Sequence, residues 1–131
     1  MPSREEHLNL AHHHEALISH LNPEKSEFLD WVIAASFWAA LNYIDAVLAL
    51  EDSHPKRDRD RDRSIVDHPA LSKLRYHYRE LKGYYENTMG RGKKYTYNDY
   101  DLTMVSHLRN IRGGVIRFLD LWDKKRQKDS A

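Results

Sequence analysis

The segment from residue 26 to residue 51 constrains the fold most. Phe28, Trp31, Val32, Ala35, Ala39, Tyr43, Ala46, Val47 and Leu50 recur at three- and four-residue steps, the period of one helical face. Leu29, Ile33, Phe37, Leu41, Ile44 and Leu48 occupy the opposite side, so this helix has almost no polar face and must be surrounded by neighbours. Its most apolar part, residues 31–41, is about half a membrane span and is flanked by Asp30, Asn42 and Asp45. The chain is therefore expected to be soluble, with this helix at its centre. Ser36, Asn42 and Asp45 then fall in or beside the core, where each needs a hydrogen-bond partner.

A central helix needs other helices around it, and the remaining sequence supplies them. Only 5 glycines and 4 prolines interrupt 131 residues, too few for the frequent turns of a β domain. A first helix is expected over residues 3–21, with Ser3 and Glu6 as a capping box and a stripe of His7, Leu10, His14, Leu17 and Leu21, with Ala11 and Ile18 beside it. Asn22-Pro23 ends it. The run KRDRDRDRS over residues 56–64 places Arg and Asp at helical pairing distance and reads as an exposed helical turn. A further helix over residues 69–89 buries Leu71, Leu74, Tyr78, Leu81 and Tyr85. A basic loop follows at 90–97, and a last helix opens at Asn98 or Asp99, with Val105, Leu108, Ile111, Val115, Phe118, Leu119 and Trp122 inward. Gly113-Gly114 costs that helix about 1 kcal/mol per glycine against alanine, which points to close helix approach. The expectation is an all-α up-and-down bundle of four to five helices: an N-terminal amphipathic helix over 1–22, a core over 23–124 and a frayed basic tail over 125–131.

Charge is the next informative feature, because the net +1 conceals a gradient. Residues 1–52 carry 2 basic and 9 acidic groups, residues 53–94 carry 12 and 6, and residues 95–131 carry 7 and 5. The basic middle can attract phosphates, and the acidic start can equally serve as its intramolecular complement. No cysteine is present, which removes zinc knuckles, thiol catalysis and disulfide staples and fits a cytoplasmic location. The N-terminus, with Glu5 and Glu6 near its start, does not read as a secretion signal.

Three constellations can carry chemistry. Nine histidines include His7, His12, His13, His14 and His20, but these form no helical His/Glu ligand pair of the kind used by di-metal bundles, so neither a metal nor another cofactor is expected. Around the junction after the central helix stand His54, Arg57, Arg59, Arg61, Arg63 and His68. Guanidinium groups grip phosphodiesters bidentately and histidine moves protons near neutral pH, so this set can bind RNA and cleave it with the 2′-hydroxyl as nucleophile; a solvated salt-bridge lattice is the plainer alternative. Arg63 and His68 are spaced Arg-x4-His, and Arg61 and His68 Arg-x6-His. A one-residue shift of the helix start rotates every arginine by about 100°, so the spacing leaves both open. Lastly, Arg75, Tyr76, Arg79, Lys82, Lys93, Lys94, Tyr95 and Tyr97 interleave cations with aromatics, as single-stranded nucleic-acid binders do.

The segments ASFWAALNYIDAVLALEDSHPKRDRDRDR (35–63) and YRELKGYYENTMGRGKKYTYNDYDLTMVSHLRNI (78–111) resemble the HEPN family, the higher-eukaryote and prokaryote nucleotide-binding helical domains, in particular its small prokaryotic members. The resemblance covers about residues 26–124. It implies a helical bundle, usually dimeric, that binds RNA or nucleotides in a cleft lined by an Arg-x4–6-His motif. It also implies a metal-independent endoribonuclease of toxin or defence type, or a partner of a nucleotidyltransferase or an antitoxin. Carried onto this chain, Arg61 or Arg63 becomes the phosphate-binding arginine and His68 the general acid/base, with His54 sharing that role; Arg57, Arg59, Lys93, Lys94 and Tyr95 supply further substrate contacts. The chain departs from the family pattern at Ser64, after Arg63, and at Asp58, where relatives often carry a second histidine; Asp62, after Arg61, fits. The alternative is a non-catalytic helical dimer or interaction module, suggested by the apolar surplus of the first two helices, including Trp31, Phe37 and Trp38.

Overall fold

A computed structural model describes residues 3–21, 28–50, 58–88 and 100–130. Five α-helices account for nearly all of them: α1 (Arg4–Leu21), α2 (Leu29–Leu50), α3 (Asp58–Val66), α4 (Ser72–Thr88) and α5 (Leu102–Ser130), with a single 3-10 turn at Pro69–Leu71. No strand occurs among the described residues.

The direction of each helix follows from its side-chain contacts. His12 meets Tyr43 across α1 and α2, Arg4 pairs with Asp123 and Glu15 with Arg112 across α1 and α5, and Phe37 stacks on Tyr85 across α2 and α4. His77 abuts Gly114 and Tyr84 meets His107 across α4 and α5. These pairings set α1 antiparallel to α2 and α5, and α4 antiparallel to α2 and α5. The result is an up-down-up-down four-helix bundle with α3 inserted between its second and third members, the all-α architecture expected from the sequence.

At the centre, Val32, Ile33, Ala40, Ile44, Val47 and Leu48 of α2 are fully buried. The stretch Leu29–Ala49 is long and apolar enough to cross a membrane, longer than the half span expected, but 78% of its most apolar 18-residue window is buried inside the bundle. The polar groups of α2 find the partners that their position demands. The Ser36 hydroxyl donates to the Val32 carbonyl at 2.8 Å and the Asn42 amide to the Trp38 carbonyl at 2.9 Å, while Asp45 meets Arg61.

The first helix starts at the expected cap, where the Glu6 amide donates to the Ser3 hydroxyl at 3.2 Å; such a cap contributes about 1 kcal/mol. Its buried seam differs from the expected stripe. Ala11 and Ile18 carry the packing, whereas Leu10 and Leu17 are 46% and 39% exposed. Ala39 and Ala46, a turn either side of Tyr43, are fully buried. A seam of alanines admits the close approach of Ala11, and leucines there would hold the two helices apart, so α1 is rotated about one residue from the leucine stripe.

The Arg-Asp run forms a complete helix, longer than the single turn expected, because Arg61 and Ile65, one turn apart, both turn inward. Pro69 stops α3, and His68 bridges the bend, its amide donating to Ile65 and its carbonyl accepting from Leu71. α5 opens at Asp101, whose carboxylate caps the Met104 amide at 3.0 Å, two to three residues after the expected start. It continues to Ser130, beyond the expected fraying at 125. Lys124, Lys125, Arg126 and Lys128 suit the negative end of its dipole, and Lys125 lies over the Trp122 ring. Of the two glycines, Gly114 is the one the packing requires: a Cβ there would lie 2.6 Å from the His77 ring, against 3.4 Å from Arg117 at Gly113.

Candidate nucleic-acid interface at the α3–α4 junction

The junction is built on a split among the arginines of α3. Arg61 and Arg63 are two residues apart and so project about 200° apart around the helix. Arg61 turns inward and is 6% exposed. Its Nε and Nη2 donate to the two oxygens of Asp45 at 2.7 and 3.1 Å, a fork-to-fork pair. The guanidinium also lies 5.9 Å from the centre of the fully buried Tyr78 ring. Burial opposes its charge, but the hydrogen bonds and charges of Asp45 and Tyr78 outweigh burial and hold Arg61 above the ordinary arginine value. Arg61 therefore pins α3 to α2 and α4, and a phosphate could reach it only by displacing Asp45.

Arg63 is exposed, and among the described residues its side chain makes no hydrogen bond or ion pair. Of the two registers that the spacing leaves open, Arg-x4-His is thus the one with a solvent-facing guanidinium. His68 is half-buried in the bend five residues later. Between Arg61 and Arg63 in rotation, Asp62 projects toward α4, where a single oxygen stands 3.7 Å from Nε of both Arg75 and Arg79. At that distance the pairs are electrostatic and not hydrogen-bonded. One carboxylate holds two guanidinium groups side by side without saturating either. Lys82 lies three residues beyond Arg79, continuing the same helical edge.

The remaining sequence candidates are distributed as follows. Arg59 stands in α3, one turn before Arg63. His54, Arg57, Lys93, Lys94 and Tyr95 lie outside the described residues. Sequence reasoning singled out Arg75, Arg79 and Lys82 as a basic segment but did not join them to α3. Their four- and three-residue spacing carried that signal, whereas the part of Asp62 depends on how two helices pack.

Among the described residues no group of three His, Asp or Glu that could hold a metal ion occurs. His13 and His14 contact one another edge to face, and burial, then the His13 charge, lowers the His14 pKa. Across the core Glu15 accepts a hydrogen bond from Tyr43, and burial followed by that contact raises the tyrosine well above its usual value.

Chemically, the α3–α4 junction offers two guanidinium groups of α4 about one carboxylate of α3, a third guanidinium, Arg63, exposed on α3, and an imidazole in the adjoining bend. That set suits a phosphodiester or a nucleotide phosphate. No protein-family model, curated protein or solved structure matches the chain.

Proposed function

We propose that this protein is a HEPN-like RNA- or nucleotide-binding protein that takes phosphates on the ridge formed by Arg63, Arg75 and Arg79. The observation that carries this reading is the gathering of Arg75 and Arg79 about Asp62 while Arg63 projects to solvent from the same helix as Asp62. An incoming phosphate replaces the share of positive charge that Asp62 holds at 3.7 Å with direct hydrogen bonds. Its affinity is electrostatic and salt-dependent: three cations on a single strand give a slope of about −2 in log K against log salt.

The same reading assigns chemistry to His68. A half-buried imidazole beside a bound phosphodiester can take the proton of the 2′-hydroxyl as that oxygen attacks phosphorus; a 2′,3′-cyclic phosphate forms as the P–O5′ bond breaks, and the 5′-oxygen takes a proton from water and leaves as the alcohol. No step in that chemistry needs a metal.

Fluorescence anisotropy with a labelled single-stranded RNA of about twenty nucleotides, in EDTA at 50 mM salt, tests the binding. Wild type is expected to bind. Arg75→Ala with Arg79→Ala should reduce the salt slope by about 1.4, and His68→Ala should bind normally but lose any cyclic-phosphate product. Absence of binding at 50 mM salt overturns the reading, and binding without cyclic phosphate removes the ribonuclease part alone.

A further inference from the structure

Gly83 of α4 differs from the two glycines of α5: a Cβ added there would meet nothing within 4 Å. Glycine weakens a helix interior. At Gly114 the close approach of the His77 ring offsets that weakness, whereas among the described residues no packing asks for a bare position at Gly83. Its place in the helix supplies a reason. Arg75, Arg79 and Gly83 follow one another at four-residue steps, and such residues form one row along a helix surface. The row that presents two guanidinium groups about Asp62 therefore runs out over uncovered backbone.

Tyr76 borders the same row. It lies three residues before Arg79 and about 60° from it around the helix, and it is 65% exposed. Single exposed apolar side chains are ordinary on a protein surface, but this ring is held in place. Its hydroxyl donates to Glu80 at 3.4 Å, and the ring meets that of His77 edge to face at 5.7 Å. An aromatic ring fixed in orientation while mostly in water loses little further freedom when something stacks on it. Glu80 stands on the side of Tyr76 turned away from the arginine row, so its carboxylate does not lie between the ring and the cations.

From this we infer that Tyr76 is the stacking platform for an unpaired RNA base whose neighbouring phosphate is held by Arg79 and Arg75, and that the strand then crosses the bare backbone at Gly83. The inference rests on the phosphate-binding reading of the ridge and narrows its ligand to single-stranded RNA. Helical neighbours three residues apart stand about 5–6 Å from each other at Cβ, within the reach of one nucleotide from phosphate to base. Stacking on an aromatic ring is open to any base with a free face, and the bases inside a duplex have none. Glu86, three residues after Gly83, disfavours a phosphate at that step and suits a ribose, whose hydroxyls donate to a carboxylate.

Fluorescence anisotropy of the full chain, with a labelled single-stranded RNA and with the same strand annealed to its complement, over a salt series from 50 mM upward, tests this. Tyr76→Ala should weaken single-strand binding by at least about 5-fold. It should leave duplex affinity and the salt slope as in wild type, because no phosphate contact is lost, and Tyr76→Phe should bind as wild type does. Gly83→Leu should raise the urea midpoint, since the side chain enters open space and helix propensity improves, yet weaken single-strand binding. Wild-type affinity in Tyr76→Ala, beside a loss in Arg75→Ala/Arg79→Ala, overturns the platform and leaves the ridge standing. Full binding in the arginine variant beside a loss in Tyr76→Ala contradicts the ridge and supports the ring. An equal loss on single strand and duplex, or a reduced salt slope in Tyr76→Ala, overturns the platform, and a wild type that binds neither RNA overturns both.

Discussion

The α2–α3–α4 junction and the outer face of α1–α2 invert what their sequences suggest. The junction contains the most polar run of the chain, yet it buries a complete ion pair, Arg61 with Asp45. The outer face contains part of the most apolar run, yet Trp31 is 61% exposed there. Average composition thus says little about which way a side chain is turned. The rotation of a helix against its neighbours decides it, and a difference of one residue is about 100°.

The contrast can be broken most severely at the ion pair. Asp45→Ala or Arg61→Ala leaves one buried charge without its partner and should cost about 3–5 kcal/mol, measured by urea unfolding. Asp45→Leu combined with Arg61→Met, which removes both charges and keeps the volume, should recover most of that loss. On the outer face, Trp31→Ala should cost only about 1 kcal/mol under conditions where the chain is monomeric, because most of that side chain is already in water. A loss at Trp31 equal to that at Arg61 would erase the distinction between the two regions.

Smaller effects sharpen it. Gly114→Ala forces the His77 ring aside and should destabilise by about 1 kcal/mol, whereas Gly113→Ala, with only an ordinary contact to Arg117, should gain up to about 1 kcal/mol in helix propensity. Adding His77→Ala to Gly114→Ala should remove the penalty. The smallest effect is on pH. Burial lowers the His77 pKa, against the charge of Glu80 and with that of Arg117, and its Nδ1 is buried without a hydrogen bond. A neutral His77 is therefore favoured in the fold. Its contribution is complete above the ordinary value of 6.5 and falls away as the pH drops through the lowered value of the folded state. Wild type should lose stability faster than His77→Ala between pH 7 and pH 5, and equal slopes in urea midpoint against pH would refute this.

Much of the architecture was legible because it rests on local rules. The two-sided apolarity of α2 required a bundle, and burial of Ser36 and Asp45 required the partners they have. The glycine pair announced the approach at Gly114. The rotation of α1 was not legible, since the leucine stripe and the Ala11–Ile18 seam differ by one position and both satisfy helical spacing. The same ambiguity hid which arginine faces outward. An alternating Arg-Asp repeat pairs with itself in any register, and only the position of Asp45 on another helix selects Arg61 for the interior. The approach of Asp62 to Arg75 and Arg79 is a matter of packing between helices, which local spacing does not encode.

The central claim is that α3 divides its arginines between a structural role inside and a phosphate-binding role outside. The most direct measurement compares the Kd for single-stranded RNA at 50 mM salt in two variants against wild type: Asp45→Leu/Arg61→Met and Arg63→Ala/Arg75→Ala/Arg79→Ala. The first should bind RNA as wild type does, and the second should bind at least about 10-fold more weakly, three phosphate contacts having been removed. Wild-type affinity in the triple variant, or loss of affinity in the folded Asp45→Leu/Arg61→Met variant, would contradict the division.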